Sequence, residues 1–198
     1  DGTDVTRLTD TPFFINHASW CSDSRIVFTS IEPGQWDIFA SDLDGSNQLR
    51  LTSDGAHETT VDCSPDGSQA AFERGGAIWT IDVGVPGSEV QLTSSGGGAA
   101  FPSWSPDGSR IAYQCVFDGQ AEICVSNSDG SGTEVNLTNH PANEGNPTWS
   151  PDGSMIAFMS QRDGNAEIYA MNADGSDVVR LTNLDGAKNS PSWSPDGS

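Results

Sequence analysis

Residues 149–182 read WSPDGSMIAFMSQRDGNAEIYAMNADGSDVVRLT. Two short apolar runs, Met155 to Ser160 and Ala166 to Met171, flank Arg162-Asp163-Gly164-Asn165. This spacing predicts a β-hairpin with a primed turn, because Asp and Gly tolerate positive φ. Trp149 closes a strand before the hairpin, and Leu181-Thr182 ends one after it. No window shows helical periodicity.

The stretch is one copy of a repeat. Leu-Thr recurs at Leu8, Leu51, Leu92, Leu137 and Leu181, 41 to 45 residues apart. About ten residues after most of these stands a second landmark: Trp104 to Ser109, Trp149 to Ser154 and Trp193 to Ser198 all read WSPDGS. Cys63 replaces the Trp in Cys63-Ser64-Pro65-Asp66-Gly67-Ser68, and Trp20-Cys21-Ser22-Asp23-Ser24 is a shortened form. Asp44, Asp129 and Asp174 each precede Gly shortly before a Leu-Thr, with Pro86-Gly87 in that place in the second repeat. Hairpins are also expected at Asp118-Gly119 and Gly75-Gly76. Four antiparallel strands in about 43 residues is the arithmetic of a β-propeller blade. The expected fold is therefore all-β, with complete blades at about 8–50, 51–91, 92–136 and 137–180 and partial ones at 1–7 and 181–198. Trp104, Trp149, Trp193, Phe72, Phe158 and Tyr113 are expected to fill the layers between blades, with Trp36 and Trp79 on third strands. A β-solenoid or open array is the alternative.

The repeat resembles the TolB-type propeller repeat, most closely over 149–182 and more loosely along the whole chain. The resemblance implies a propeller, usually six-bladed, that binds proteins or serves as a scaffold in the periplasm or at the cell surface without catalysing a reaction. The family also includes accessory propellers of prolyl-oligopeptidase-like serine peptidases, whose catalytic residues lie in an attached α/β-hydrolase domain. This chain has no Gly-x-Ser-x-Gly elbow and no βα alternation to carry one. A structural subunit of an extracellular fibre is a third reading. The incomplete repeats at both ends, and a first residue other than Met, predict a section of a longer protein. The alternative is a second copy that supplies the missing strands through exposed edges.

Composition narrows the partners. Eight Lys+Arg against 28 Asp+Glu give a net charge of −20. That argues against nucleic acid and anionic membrane surfaces, and favours protein partners with basic faces. No apolar run reaches the length of a membrane helix, so no membrane insertion is expected. Of 20 Asp, 12 stand directly before Gly. Such carboxylates bond nearby backbone N–H groups in turns; without them the charge would be −8, an ordinary surface.

Four cysteines suggest two disulfides and an oxidising compartment. With Asp118-Gly119 centring its turn, Cys115 faces residue 122, and Cys124 lies diagonally on the same face, within bridging reach. Cys21 and Cys63 occupy neighbouring columns of consecutive blades and could join their inner strands. Four buried thiols are the alternative. His57, Glu58, His140, Glu144 and Lys188 are expected in loops at one mouth of the axial channel, either as a metal or cation cluster or as ordinary solvated residues. One column is not a coordination sphere. Asp42 to Gly45 and Asn172 to Asp177 resemble oxygen-rich calcium loops, but turn chemistry accounts for them without six to eight converging oxygens. No cofactor is expected, calcium being the one ion left open. Asn136-Leu137-Thr138 is a formal N-glycosylation acceptor, though Leu-Thr recurs in every repeat. Gly96-Gly97-Gly98 reads as a flexible connection between blades.

Overall fold

The computed structural model describes residues 14–22, 24–32, 34–93, 97–183, 186 and 188–197. Leu8-Thr9, the partial strand at 1–7, Asp23, Gly96 and Ser198 lie outside them. The described residues form four four-stranded antiparallel sheets, each in sequential strand order. Blade 1 holds β1 (Ile15–Ser22), β2 (Arg25–Glu32), β3 (Gln35–Asp42) and β4 (Leu49–Arg50). Blade 2 holds β5 (Glu58–Cys63), β6 (Gln69–Arg74), β7 (Ala77–Asp82) and β8 (Val90–Gln91). Blade 3 holds β9 (Ala100–Trp104), β10 (Arg110–Phe117), β11 (Gln120–Asn127) and β12 (Val135–Asn136). Blade 4 holds β13 (Glu144–Trp149), β14 (Met155–Ser160), β15 (Glu167–Asn172) and β16 (Val179–Arg180). The first strands pack on one another in succession, β1 on β5, β5 on β9 and β9 on β13. They line the inside, and the two-residue fourth strands lie outside.

A sheet this small cannot bury both faces alone, so the core sits between blades. Trp104 is 7% exposed and clusters with Ala71 and Ile78 of blade 2; Trp149, 5% exposed, clusters with Ala112 and Ile123 of blade 3. Each Trp thus faces the preceding blade. In blade 2 that position is Cys63, which is disulfide-bonded to Cys21. The second bridge joins Cys115 and Cys124 across the β10–β11 hairpin, where Cys115 pairs with Glu122 as the turn position requires.

The Leu-Thr dipeptide is a clasp. The backbone N–H of Leu51, Leu92, Leu137 and Leu181 donates to the carbonyl of Ile38, Ile78, Ile123 and Ile168, respectively. The hydroxyl oxygen of the following Thr accepts the N–H of the same isoleucine, at 2.9 to 3.0 Å in all four blades. The Thr side chain thereby replaces a backbone carbonyl where the fourth strand leaves the sheet, so no buried donor is orphaned.

The Ser-Pro-Asp-Gly-Ser turn is equally regular. One oxygen of Asp66 accepts the Ser64 hydroxyl and both the N–H and hydroxyl of Ser68. Asp107 and Asp152 repeat this set. The turns also stack blade upon blade. Gly67 has φ +72°, and a Cβ there would lie 1.9 Å from the carbonyl oxygen of Cys21, so only glycine permits the approach.

Two hairpins have primed turns, with positive φ at Gly75 and Gly76 and at Asp118 and Gly119. The expectation for Asp163-Gly164 is corrected. Ser160 pairs with Glu167, so the loop is longer than two residues, and Gly164 donates to the Gln161 carbonyl. Gly97 and Gly98 lie against the Gly75-Gly76 hairpin, a packed connection rather than a loose one.

Candidate functional site

Antiparallel order puts the first-to-second and third-to-fourth strand connections at one end of every blade. This turn end carries Asp44, Asp66, Asp107, Asp129, Asp152 and Asp174. Hydrogen bonds from neighbouring Ser side chains and backbone N–H groups hold all six carboxyls below the usual carboxylate range, those of Asp66, Asp107 and Asp152 at about 2. They are fixed, ionised and solvent-facing. Only two described cations start strands here: Arg25, which pairs with Asp42 at 3.6 Å, and Arg110, which lies 4.7 Å from the centre of the Trp149 ring.

The hairpin end has the opposite character. Asp37, Glu58, Glu144 and Glu167 are at most 1% exposed there. Arg50, Arg74, Arg162 and Arg180 pair with them in that order. Arg74 also reaches Asp54 at 2.8 Å and stacks on Phe72 and Trp79. Burial is the largest influence on Glu58 and raises its carboxyl pKa despite Thr52 and Arg74.

The channel-mouth expectation is therefore corrected for Glu58 and Glu144. Both begin inner strands rather than lying in loops, and an arginine from the same blade occupies each. His57 Nδ1 accepts the Trp36 N–H, and His140 Nδ1 accepts the Ala142 N–H. Lys188 Nζ donates to the Gly186 carbonyl. Among the described residues, the side chains of His57, Glu58, His140 and Glu144 share no hydrogen bond with one another. Asn136 ends β12, and its Oδ1 accepts the Thr138 N–H, while the Thr138 hydroxyl donates to Glu122. The loops resembling calcium sites spend their oxygens on their own turns, Asp44 on Ser46 and Asp174 on Ser176. Among the described residues no three His, Cys, Asp or Glu side chains form a metal cluster.

Sequence reasoning missed Asp62. It accepts the Ser19 hydroxyl and the Trp104 N–H, tying three inner strands together, and burial raises its pKa. Its signal was a lone acid in a column otherwise of Ser19, Ser103 and Thr148.

These shifts set a pH profile. Glu58 and Asp62, raised in the fold, add stability below their unfolded values and lose it as pH rises through the folded ones. Asp66, Asp107 and Asp152, lowered, add stability above the unfolded value and lose it as pH falls toward about 2. The melting temperature should rise from pH 7 to about 5 and fall between about 4 and 2. Calorimetry across this range checks it; Asp107→Asn should soften the acid-side fall, and a steady rise down to pH 2 would contradict it.

The comparisons agree with this architecture. A "Protein TolB homolog" from Chlorobaculum tepidum is 39% identical over 111 residues, 54% of this chain and 25% of that protein. A "Tol-Pal system protein TolB" from Desulfosudis oleivorans is 37% identical over 64% of this chain and 28% of its own length. The chain thus spans about a quarter of these relatives. A structure assigned as TolB from Agrobacterium tumefaciens superposes with a TM-score of 0.83 at 26% identity, covering 94% of this chain and 68% of that one. A prolyl endopeptidase (TM-score 0.64, 17% identity, 88% of this chain and 30% of that one) shares the fold alone. The TolB beta propeller domain profile matches residues 77–198, and the chain belongs to that family.

Proposed function

We propose that the chain is a non-enzymatic protein-binding module acting outside the cytoplasm, and that partners with basic faces dock on its turn end. The observation that carries this reading is the array of fixed carboxylates repeated from blade to blade, with the arginines largely withdrawn to the other end. Carboxylates held by Ser donors stay ionised and need no rearrangement on binding, which favours fast, salt-sensitive association. Two disulfides support an oxidising compartment. The names of the TolB relatives favour a protein-assembly role over catalysis.

Salt dependence tests the electrostatic part. Partner retained from a cell-envelope extract on the immobilised chain should fall severalfold between about 0.05 and 0.5 M salt. It should fall similarly in a triple variant with Asp66→Asn, Asp107→Asn and Asp152→Asn. Retention indifferent to both would overturn the reading.

A further inference from the structure

Blade 3 departs from blade 2 at linked positions. In blade 2 the Arg74 guanidinium lies 5.1 Å from the Phe72 ring centre and 4.9 Å from that of Trp79, and its Nη2 is 3.4 Å from Glu89 Oε1. Phe72 pairs with Trp79 as Tyr113 pairs with Cys124. Cys115 therefore stands where blade 2 has Arg74, and Cys124 where it has Trp79. Glu134, just before Val135 of β12, stands where blade 2 has Glu89 before Val90 of β8. A disulfide has replaced the arginine–tryptophan pair, yet the carboxylate is kept.

Glu134 has no cation partner among the described residues; Tyr113 Oη donates to one of its oxygens. In front of it opens a cleft of about 340 Å³ between blades 2 and 3, lined by Leu92, Thr93, Ser126, Ser131, Thr133 and Glu134. The turn forming its outer wall, Asp129 to Val135, is one residue longer than Asp44 to Leu49 or Asp174 to Val179.

We propose that this cleft receives the guanidinium of an arginine side chain presented by a protein partner, with Glu134 as the counter-ion. Blade 2 satisfies the equivalent carboxylate with an arginine of its own chain; blade 3 leaves that place to a visitor. Leu92 offers an apolar wall for the methylene stem. Glu134 takes the charge, and the hydroxyls of Ser131 and Thr133 accept further N–H donors, a demand that a planar, five-donor group meets better than an ammonium. The identity of the donor protein rests on the protein-binding reading above; the chemistry of the cleft does not.

The test titrates N-acetyl-arginine amide into the isotope-labelled chain and follows backbone amide resonances, with the lysine and glutamine analogues alongside. The arginine probe should give saturable shifts at Ser126 and residues 131–134. The lysine probe should bind more weakly, and the glutamine probe should leave these resonances in place. Glu134→Gln, which keeps an acceptor for Tyr113, should weaken the arginine probe about tenfold. Asp118→Asn, removing one charge at a distant hairpin tip, should leave it unchanged. Thr133→Arg supplies a guanidinium from the cleft wall and should block the probe while raising the melting temperature. Shifts spread over the Asp-Gly turns, insensitivity to Glu134→Gln, or no saturation would overturn the proposal. Failure here with a partner still held at the turn end would reject the cleft and leave the protein-binding reading standing.

Discussion

Replacing both Cys21 and Cys63 with alanine is expected to lower stability by about 4 kcal/mol. The bridge spans a sequence separation of 42 residues, and tethering a loop of that length removes about this much chain entropy from the unfolded state. The effect should also be local. Cys21 lies on β1 and Cys63 on β5, so the bond fastens the inner strand of blade 1 to that of blade 2. Without it, amides of blade 1 should lose hydrogen-exchange protection before those of blades 3 and 4. Denaturant unfolding gives the total, and exchange gives the distribution. The Cys115–Cys124 bridge spans 9 residues within one hairpin, and its loss should cost less, about 2.5 kcal/mol. A loss below about 1 kcal/mol for the Cys21–Cys63 pair would show that blade packing alone fixes blade 1.

Arg74→Met should cost about 3–5 kcal/mol. It leaves the Glu58 carboxylate, fully buried, without its cation, and burial is already the dominant influence on that group. The stacking on Phe72 and Trp79 is lost as well. Combining Arg74→Met with Glu58→Gln should recover most of the loss, because the cost lies in the stranded charge rather than in the absent pair. A double-mutant cycle by denaturant titration separates these terms. Acid provides a second check: protonating Glu58 removes the stranded charge, so Arg74→Met should be less damaging near pH 5 than at pH 7. Equal damage at both, or no recovery in the double variant, would place the energetics elsewhere.

Much of this architecture was legible because the same residues return at the same places. Leu-Thr marks each blade since the Thr hydroxyl accepts the isoleucine N–H where the strand ends. Ser-Pro-Asp-Gly-Ser marks the first turn of blades 2, 3 and 4 since its carboxylate bonds both serines. The diagonal reach of Cys115 to Cys124 followed from the position of Asp118-Gly119. Other features depend on partners distant in the chain. Glu58 and Glu144 look like solvated loop acids until Arg74 and Arg162, 16 and 18 residues on, fold over them. Asp163-Gly164 resembles a tight turn, but Asn165 and Ala166 stay outside the ladder and lengthen it. The direction in which each Trp is buried depends on blade order in space, which periodicity does not encode. Glu134 was the most accessible omission: aligning the repeats sets Cys124 in a column otherwise held by Phe39, Trp79 and Tyr169.

The acidity of the chain is thus largely turn chemistry, and its consequence is a face of fixed carboxylates. Carbodiimide coupling, which joins carboxylates directly to lysine amines, locates a bound partner on that face. After coupling the chain to partner captured from the cell envelope, peptide mass spectrometry should find links from Asp44, Asp66, Asp107, Asp129, Asp152 or Asp174 to lysines of the partner. Links to Lys188 of another copy would identify that partner as a second copy of the chain. Links confined to the hairpin end, at Asp54, Glu73, Asp118 and Asp163, would contradict the assignment of the turn end as the binding face.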